Sequence, residues 1–446
     1  MTAPQTGRVQ TGFGQTGLVR AIGRWSLVAL AVNSIIGSGI FGLPATVAHL
    51  LGKRSVVAVL IAGAAMGVIM ACFAEVASQF SDAGGPYLYA RAAFGRLMGI
   101  LVGWMLYLGQ TAAPAASANL FVIYLAEFWP AAKETWPRFV ILTLLVGVLA
   151  VINARGARQG TAVSNVFTVA KLLPLLMVVS AGAAVTIIHP APWGRAGPMP
   201  ASAWMKAMML LIFAYGGFES AMAPMSEAKN PRRDAAFTLF VALLGCTTIY
   251  ALVQWVVVGV LGPGTTTDRP LAEVARITMG NRGATLVAIG VMISLYGYLS
   301  AKLLAMPRVT FALATRGDLP ELFATVSPRF HTPWFSILFY GVAVWGLAIV
   351  GNFTWNVTLS VIARLFYYAV VCAALIALRR EHLLGARFHL PCGQVLAVLG
   401  VGIAAGVGIA AVLTKQVEFS KSLILAATIG AALLNWAWVR RKGASG

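Results

Sequence analysis

The sequence predicts an all-α polytopic membrane protein with twelve transmembrane helices. Of its 446 residues, 59% are hydrophobic and only 10% are charged, which is too apolar for a water-soluble fold of any class. Twelve apolar runs are each long enough to cross a hydrocarbon core of about 30 Å at about 1.5 Å per residue. They lie at about 25–50, 55–80, 97–128, 138–156, 162–188, 204–226, 235–262, 283–309, 334–351, 358–379, 391–414 and 420–440.

The basic residues predict the orientation of these spans. With a cytoplasmic N-terminus, 19 of the 33 Lys and Arg residues fall in inside segments and 11 in outside segments, and the other three fall within spans: Lys171, Lys302 and Arg364. This bias favours both termini inside. No short apolar run with a small-residue cleavage site precedes the first span, so no signal peptide is predicted. We expect an integral protein of the cell (inner) membrane.

Several other classes of protein are disfavoured. The net charge of +20 is spread over many short loops and forms no stripe, so we expect no nucleic-acid partner. The four cysteines form no CxxC pair and have no histidine at ligand spacing, so neither a disulfide framework nor a metal site is expected. No GxxxxGK[ST] motif occurs. We predict no cofactor and no catalytic constellation, so the chain is not expected to be an enzyme.

Glycine interrupts two spans at similar positions in successive blocks of five. The first is broken at Gly37-Ser38-Gly39 and the sixth at Gly216-Gly217. Each glycine weakens a helix by about 1 kcal/mol relative to alanine, and a broken membrane helix frees backbone groups that need partners. Freed amides suit a carboxylate and freed carbonyls suit an ammonium group, so the breaks predict a zwitterionic ligand. Close helix packing is the alternative explanation for these glycines.

Five sequence stretches follow one another along the chain in a familiar order: 33–44, 83–90 with 93–95, 213–219, 227–233 and 308–320. Together they resemble the amino acid/polyamine/organocation (APC) superfamily of permeases over nearly the whole chain. The resemblance implies a LeuT-like 5+5 inverted repeat and two C-terminal helices. The implied divisions are a tail at 1–24, repeats at 25–188 and 204–379, the last two helices at 391–440, and a tail at 441–446. In one departure, the usual Ala-Arg-Asp-Gly reads Ala-Thr-Arg-Gly at 314–317, which affects loop contacts.

The resemblance also implies a substrate site at the two breaks. The substrate carboxylate would meet the Ser38 hydroxyl and backbone amides near Gly39 and Ile40, and its ammonium would meet backbone carbonyls of both broken helices. The implied substrate-binding residues are Ile35, Gly37, Ser38, Gly39, Ile40, Phe213, Ala214, Tyr215 and Gly216. Phe213 is also the leading candidate for an aromatic lid, ahead of Tyr107, Tyr215, Tyr367 and Tyr368.

Charged residues inside spans are costly and therefore need a reason. Burial disfavours the charged form of Lys171, and in some members of the resembled family a lysine stands here where sodium-driven relatives hold a sodium ion. We predict that Lys171 couples transport to protons, with a fixed structural cation as the alternative. Glu219, just past the second break, is predicted to act in gating, with a structural hydrogen-bond partner as the alternative. Glu75 and Lys302 are expected to be structural and to reach headgroups or solvent.

These expectations combine into a secondary transporter of amino acids, sodium-independent and proton-coupled. A neutral side chain is preferred over a cationic one because Glu219 is the only acid near mid-membrane and already has a predicted role. The expected partners are the substrate, protons and membrane lipid, and a homodimer is left open. Two alternatives are an exchanger or exporter of cationic amino acids or polyamines, and a sensor that binds an amino acid without net transport.

Overall fold

Every regular element in the described part of the chain is helical. The structure, a computed structural model, describes residues 23–80, 85–156, 161–188, 199–221, 231–262, 264–380 and 388–444. The α-helices are α1 (Arg24–Ile35), α2 (Ser38–Gly42), α3 (Pro44–Leu51), α4 (Arg54–Gln79), α5 (Pro86–Leu125), α6 (Thr135–Ala154), α7 (Thr161–Ile188), α8 (Ala201–Tyr215), α9 (Phe218–Ala221), α10 (Pro231–Leu261), α11 (Pro270–Thr315), α12 (Trp334–Val350), α13 (Phe353–Arg380), α14 (Gly393–Leu413) and α15 (Phe419–Ala444). Short 3₁₀ helices occupy Pro130–Lys133 and Glu321–Ala324.

The prediction of an all-helical integral membrane protein is confirmed. In the described ranges, 10 helices are long and apolar enough to cross a membrane. The predicted first span is divided into α1, α2 and α3, of 12, 5 and 8 residues, and α12 has 17 residues. Each of these is shorter than the roughly 18 to 20 residues that a continuous crossing requires, so the count of twelve remains a prediction. The N-terminal tail, most of the 227–233 stretch and the last two residues lie outside the described residues.

The first break falls slightly earlier than the sequence suggested. Helix α1 ends at Ile35 and α2 begins at Ser38, so the non-helical residues are Ile36 and Gly37. Gly39 lies inside α2, where an added Cβ would stand 2.7 Å from the Ala214 Cα and 2.9 Å from its Cβ. Gly39 is therefore needed for close packing of α2 against α8, which was the alternative explanation for the glycines.

The second break lies at Gly216 and Gly217, as the sequence predicted. Helix α8 ends at Tyr215 and α9 begins at Phe218. Gly217 has φ +108°, in the left-handed region that favours glycine, and the Ser34 carbonyl oxygen occupies the place of its missing side chain. Both breaks are therefore in direct backbone contact with each other.

Helices α5 and α11 share an unusual construction. Each has proline in its first turn, Pro86 or Pro270, and each bends at a glycine with positive φ, Gly95 at +84° and Gly280 at +72°. At 40 and 46 residues they exceed the roughly 20 residues of one crossing. The segment before each bend thus adds to the crossing helix that follows it.

Polar contacts, many of them ion pairs, connect helix ends at two opposite faces of the helix bundle. We call the face around Asp318 the near face and the face around Glu127 the far face. At the near face, Asp318 accepts hydrogen bonds from three side chains at the start of α5: Tyr87, Arg91 and Arg96. The end of α15 joins the same face, because Lys442 Nζ lies 2.5 Å from Glu321 Oε1 and lowers the pKa of that carboxyl. At the far face, Glu127 pairs with Arg269 and Arg276, while Arg138 Nη2 lies 2.6 Å from the Gly351 carbonyl oxygen.

Candidate functional site

The predicted carboxylate-binding half of the site lies at the start of α2. The Ser38 side chain is buried, and its hydroxyl lies 3.0 Å from the Ser117 hydroxyl of α5. Gly37 in the break faces the Tyr298 ring of α11, which lies 3.6 Å from the position of an added Cβ. Ile40 and Gly39 are buried in the first turn of α2. The first break is thus enclosed by side chains from α5 and α11.

A tyrosine that sequence reasoning missed bridges the two breaks. The Tyr250 hydroxyl of α10 lies 2.9 Å from the Ala214 carbonyl oxygen and 3.2 Å from that of Ile35. The Phe213 carbonyl accepts a hydrogen bond from the Gly216 amide at 3.1 Å. Three of the carbonyls implied for the substrate ammonium therefore already have a partner, although a carbonyl oxygen can accept a second hydrogen bond.

The side chain of Tyr215 points away from the predicted site. Its hydroxyl donates to the Val59 carbonyl of α4 at 3.0 Å, and its ring packs against the Tyr250 ring. Only the backbone of Tyr215 is therefore near the break. The ring of Phe213, in contrast, faces the predicted site, and the Arg364 guanidinium lies 5.5 Å from the centroid of this ring.

Glu219 lies in a dense set of hydrogen bonds just past the second break. Its carboxylate accepts hydrogen bonds at 2.7 to 3.3 Å from four groups: Gln110 Nε2, the Gly217 amide, the Tyr367 hydroxyl and the Tyr368 hydroxyl. It is 5% exposed. These contacts join α5 and α13 to the unwound segment between α8 and α9, a geometry that serves either the gating role or the structural alternative.

Arg364, one of the three basic residues that the sequence places within spans, pairs with Glu219. Its Nε lies 3.7 Å from Glu219 Oε1, and the residue is 1% exposed. Gly216 makes room for the guanidinium, because an added Cβ at Gly216 would overlap Arg364 Nη1. The Nε and Nη1 atoms have no hydrogen-bond partner among the residues that the structure describes. A buried cation thus lies directly over the α8 break.

Lys302 does not reach headgroups, contrary to the expectation from sequence. Its Nζ lies 2.7 Å from Gln110 Oε1 and 2.5 Å from Ser220 Oγ, and the residue is 5% exposed. The lysine is buried because α11 continues to Thr315, beyond the predicted end of that span at 309. Lys302 therefore links α11 to α5 and to α9, beside Glu219.

Proline positions Gln110 for this contact. Pro114 lies inside α5 and has no backbone N–H, so it frees the carbonyl of the residue one turn before it. That residue is Gln110, and its carbonyl accepts a hydrogen bond from the Tyr340 hydroxyl of α12 at 2.5 Å. The backbone of Gln110 is thereby fixed while its side chain joins Glu219 to Lys302.

Lys171 and Glu75 have separate surroundings. Lys171 Nζ lies 2.8 Å from both the backbone carbonyl and the side-chain oxygen of Asn33 in α1, and the lysine is buried. Glu75 forms a two-point ion pair with Arg379, at 2.7 Å for each contact, and also accepts the Leu390 amide. Glu75 joins α4 to α13 and the segment before α14, which fits its expected structural role, but it is fully buried instead of reaching headgroups.

A cavity of about 490 Å³ extends from the cluster around Glu219 and Lys302 to the near face. Its inner end is lined by Ser34, Gln110, Glu219, Ser220 and Lys302, and its outer end by residues that include Arg316 and Asp318. None of the nine predicted substrate-binding residues is among its lining residues. The layer formed by Gln110, Glu219, Ser220 and Lys302, which we call the partition, therefore separates the cavity from the first break.

Comparison with known proteins gives the family context. A sequence profile described as amino acid permease matches residues 22–434. The chain is 28% identical over 407 residues to a methylthioribose transporter of Bacillus subtilis (strain 168), covering 86% of this chain and 87% of that protein. It is 26% identical over 390 residues to a branched-chain amino acid permease of the same organism, covering 82% and 83%. A chloroplastic cationic amino acid transporter of Arabidopsis thaliana is 29% identical over 331 residues, covering 70% and 58%.

Proposed function

This chain belongs to the amino acid permease family, and on that premise we propose that it carries amino acids across the cell membrane by alternating access, with the substrate bound at the α1 and α8 breaks. The observation that carries the proposal is the backbone contact between these breaks, at Gly39 with Ala214 and at Gly217 with Ser34. Broken helices that meet at mid-membrane offer amides and carbonyls to the two charges of one amino acid.

Paired features support an inverted repeat over 25–188 and 204–379. Helices α1 and α8 are both interrupted, and α5 and α11 both begin with proline and bend at a positive-φ glycine. With α1 to α3 taken as one crossing and α12 as another, the ten apolar helices become twelve. An even number brings both termini to one side, and the distribution of Lys and Arg favours the cytoplasm for that side.

The cavity supports a conformation that faces the cytoplasm. It reaches the near face, whereas Glu127, Arg138, Arg269 and Arg276 bridge helices at the far face. A substrate leaving the breaks for the near face must pass the partition. Movement of Glu219 and Lys302 in the partition is therefore the proposed gating step on this side.

The surroundings of Lys171 support sodium independence. Its ammonium is bonded to Asn33 in α1 at the place where, in the resembled family, sodium-driven members hold their ion. When the ammonium is protonated, its positive charge repels a cation at this place. We further propose that Lys171 releases and regains a proton during the transport cycle, which would change its hydrogen bonds to Asn33 in α1.

The charges around the breaks argue against a cationic side chain. Among the described residues, Glu219 is the acid nearest the second break, and it already accepts four hydrogen bonds and faces Arg364. Lys302 adds a further positive charge beside it. Substrates without a positive side chain, including the neutral amino acids preferred from the sequence, therefore fit better than arginine, lysine or a polyamine.

Uptake into proteoliposomes tests this function. Purified protein would be reconstituted in sodium-free buffer and assayed with radiolabelled amino acids and methylthioribose, with and without an inward proton gradient. We expect saturable amino acid uptake that the gradient accelerates in wild type and in the control Lys133→Met, a partly exposed far-face lysine. In Lys171→Ala, we expect substrate exchange to persist while the response to the gradient disappears.

Each other outcome has a definite meaning. Uptake that requires internal substrate and ignores the gradient in all proteins would identify an exchanger and exclude proton coupling at Lys171. Binding without flux or exchange would identify a sensor. Uptake of methylthioribose with no amino acid flux would overturn the proposed substrate class.

A further inference from the structure

Arg364 is a buried cation whose hydrogen-bonding capacity is largely unused. A guanidinium carries five N–H donors, yet Nε and Nη1 of Arg364 have no hydrogen-bond partner in the described part of the chain. The Glu219 carboxylate lies 3.7 Å from Nε, which is too long for a hydrogen bond. Burying an arginine in this state is costly, so a ligand that completes its bonding is expected.

The unused atoms lie at the second break. Arg364 Nη1 occupies the space that a side chain at Gly216 would fill, and the guanidinium lies over the Phe213 ring. Both residues belong to the proposed substrate site. Arg364 is carried by α13, where Tyr367 and Tyr368, one turn later, hold Glu219 from the same helix face.

The local charges do not balance. Glu219 faces two cations, since Arg364 lies beside its carboxylate and Lys302 reaches it through Gln110. The other side-chain partner of Lys302 is the neutral hydroxyl of Ser220. One positive charge is therefore left over in this buried cluster, and an anion entering beside Arg364 would neutralise it.

We propose that Arg364 binds the side-chain carboxylate of the substrate, so that the transported class is acidic amino acids in preference to their amides. This inference rests on the proposed function, in which the amides of α2 hold the α-carboxylate at the first break. A second carboxylate then meets Nη1 of Arg364 at the second break, where a charge-assisted hydrogen bond from the guanidinium favours a carboxylate over a neutral amide. Glutamine and asparagine have the same shape but lack the charge.

The test compares glutamate with glutamine, and aspartate with asparagine, in proteoliposomes. In wild type we expect each acid to be taken up with about tenfold or more higher kcat/KM than its amide, the factor expected from one charge-assisted hydrogen bond. In Arg364→Gln the ratio should fall to about one or below, mainly through a higher KM for the acids. Arg329→Gln, on an exposed arginine outside the spans, should keep the wild-type ratio.

A double variant controls for the unpaired negative charge that Arg364→Gln leaves on Glu219. Arg364→Gln leaves Glu219 buried without its cation, whereas Arg364→Gln with Glu219→Gln removes the pair together. Thermal stabilisation of the purified proteins gives a readout independent of flux. Glutamate should raise the unfolding temperature of wild type more than glutamine does, and this difference should be absent from both variants.

Three results would overturn the inference. Equal uptake of acids and amides by wild type would exclude a side-chain carboxylate at Arg364. An equal loss of both by the Arg364 variants would assign the arginine to the α-carboxylate or to structure. An unchanged acid-to-amide ratio in both variants would exclude contact between the substrate side chain and Arg364. In each of these cases amino acid transport itself stands, whereas wild type that moves no amino acid refutes the proposed function.

Discussion

In the partition, Lys302 donates a hydrogen bond to Ser220, with its Nζ 2.5 Å from the serine Oγ. Ser220 belongs to α9, directly after Glu219, and Lys302 belongs to α11, so this bond fastens the short helix after the break to a long crossing helix. The same ammonium lies 2.7 Å from Gln110 Oε1 of α5. Three separate helices are thus held together by one buried amine at the inner end of the cavity.

Removal of this amine is predicted to open the partition. Lys302→Met loses two charge-assisted hydrogen bonds, each worth about 1.5 to 3 kcal/mol, and keeps a side chain of similar length. We expect a Ser38→Cys reporter at the buried first break, behind the partition, to react several-fold faster with a maleimide added at the near face. The background would carry Cys392→Ser, because Cys392 is the exposed cysteine of the described set.

The control for this experiment is Lys133→Met, which removes a lysine paired with Asp268 at the far face. Its reporter should react at the wild-type rate. If Lys302→Met leaves the reaction rate of the reporter unchanged, the amine does not hold the partition closed.

Gly216→Ala is predicted to lower the uptake of substrate because it displaces Arg364. The added Cβ would overlap the Arg364 guanidinium, and forced repacking of a tight interior costs about 1 to 3 kcal/mol. We expect a lower unfolding temperature and a fall in uptake of about tenfold or more, since small displacements in a binding site are costly. Gly402→Ala in α14 is the matched control, because an added Cβ there meets no described neighbour within 4 Å.

A double variant separates steric displacement from helix propensity. Gly216→Ala with Arg364→Ala provides room for the new methyl group and should recover part of the stability that the single glycine variant loses. If the two losses simply add, Gly216 serves the break itself and not the position of Arg364.

The breaks were predictable from the sequence, but their surroundings were not. Glycine pairs act on the local backbone, so Gly37 and Gly216 gave their positions to within a residue or two. Charged residues within apolar runs were also visible, which singled out Lys171 and Arg364. Their partners depend on how helices distant in the chain pack, and no local pattern records the contact between Arg364 and Glu219.

Tyr250 is a second residue whose contacts could not be predicted from the sequence. A single tyrosine in an apolar span resembles an ordinary packing residue, and nothing nearby marks it as a bridge between two breaks. Lys302 was misplaced because the sequence set the end of its span too early. Only the full length of α11, to Thr315, shows that this lysine is buried.

Tyr250→Phe is predicted to weaken substrate binding with little change in fold. The hydroxyl lies 2.9 Å and 3.2 Å from the carbonyl oxygens of Ala214 and Ile35, so its loss removes the link between the breaks. One such hydrogen bond contributes about 0.5 to 1.5 kcal/mol, and we expect KM to rise by about threefold to tenfold. Uptake kinetics in proteoliposomes measure this change.

Tyr215→Phe is the matched control because its hydroxyl bonds to Val59 in α4, away from the breaks. It should lower the unfolding temperature slightly and leave KM unchanged. An equal rise of KM in both tyrosine variants would mean that the Tyr250 hydroxyl has no special position at the breaks.

Glu75→Gln is predicted to destabilise the protein without altering its substrate preference. Glu75 is fully buried and accepts hydrogen bonds from Nε and Nη2 of Arg379, each at 2.7 Å. Removing its charge therefore leaves a partly buried guanidinium without its anion. Breaking a buried pair in this way costs about 3 to 5 kcal/mol, and partial exposure of Arg379 places the expected cost at the lower end. Thermal unfolding in detergent should show a clear loss of stability.

The same variant distinguishes an anchor from a gate. Glu75 lies between α4, α13 and Leu390, away from the lining of the cavity, so the protein that remains folded should keep the wild-type ratio of uptake among amino acids. Glu219→Gln should change that ratio, because Glu219 contacts Arg364, Gln110 and the backbone of the break. A changed ratio in Glu75→Gln would show that the α4 to α13 anchor also shapes the substrate site.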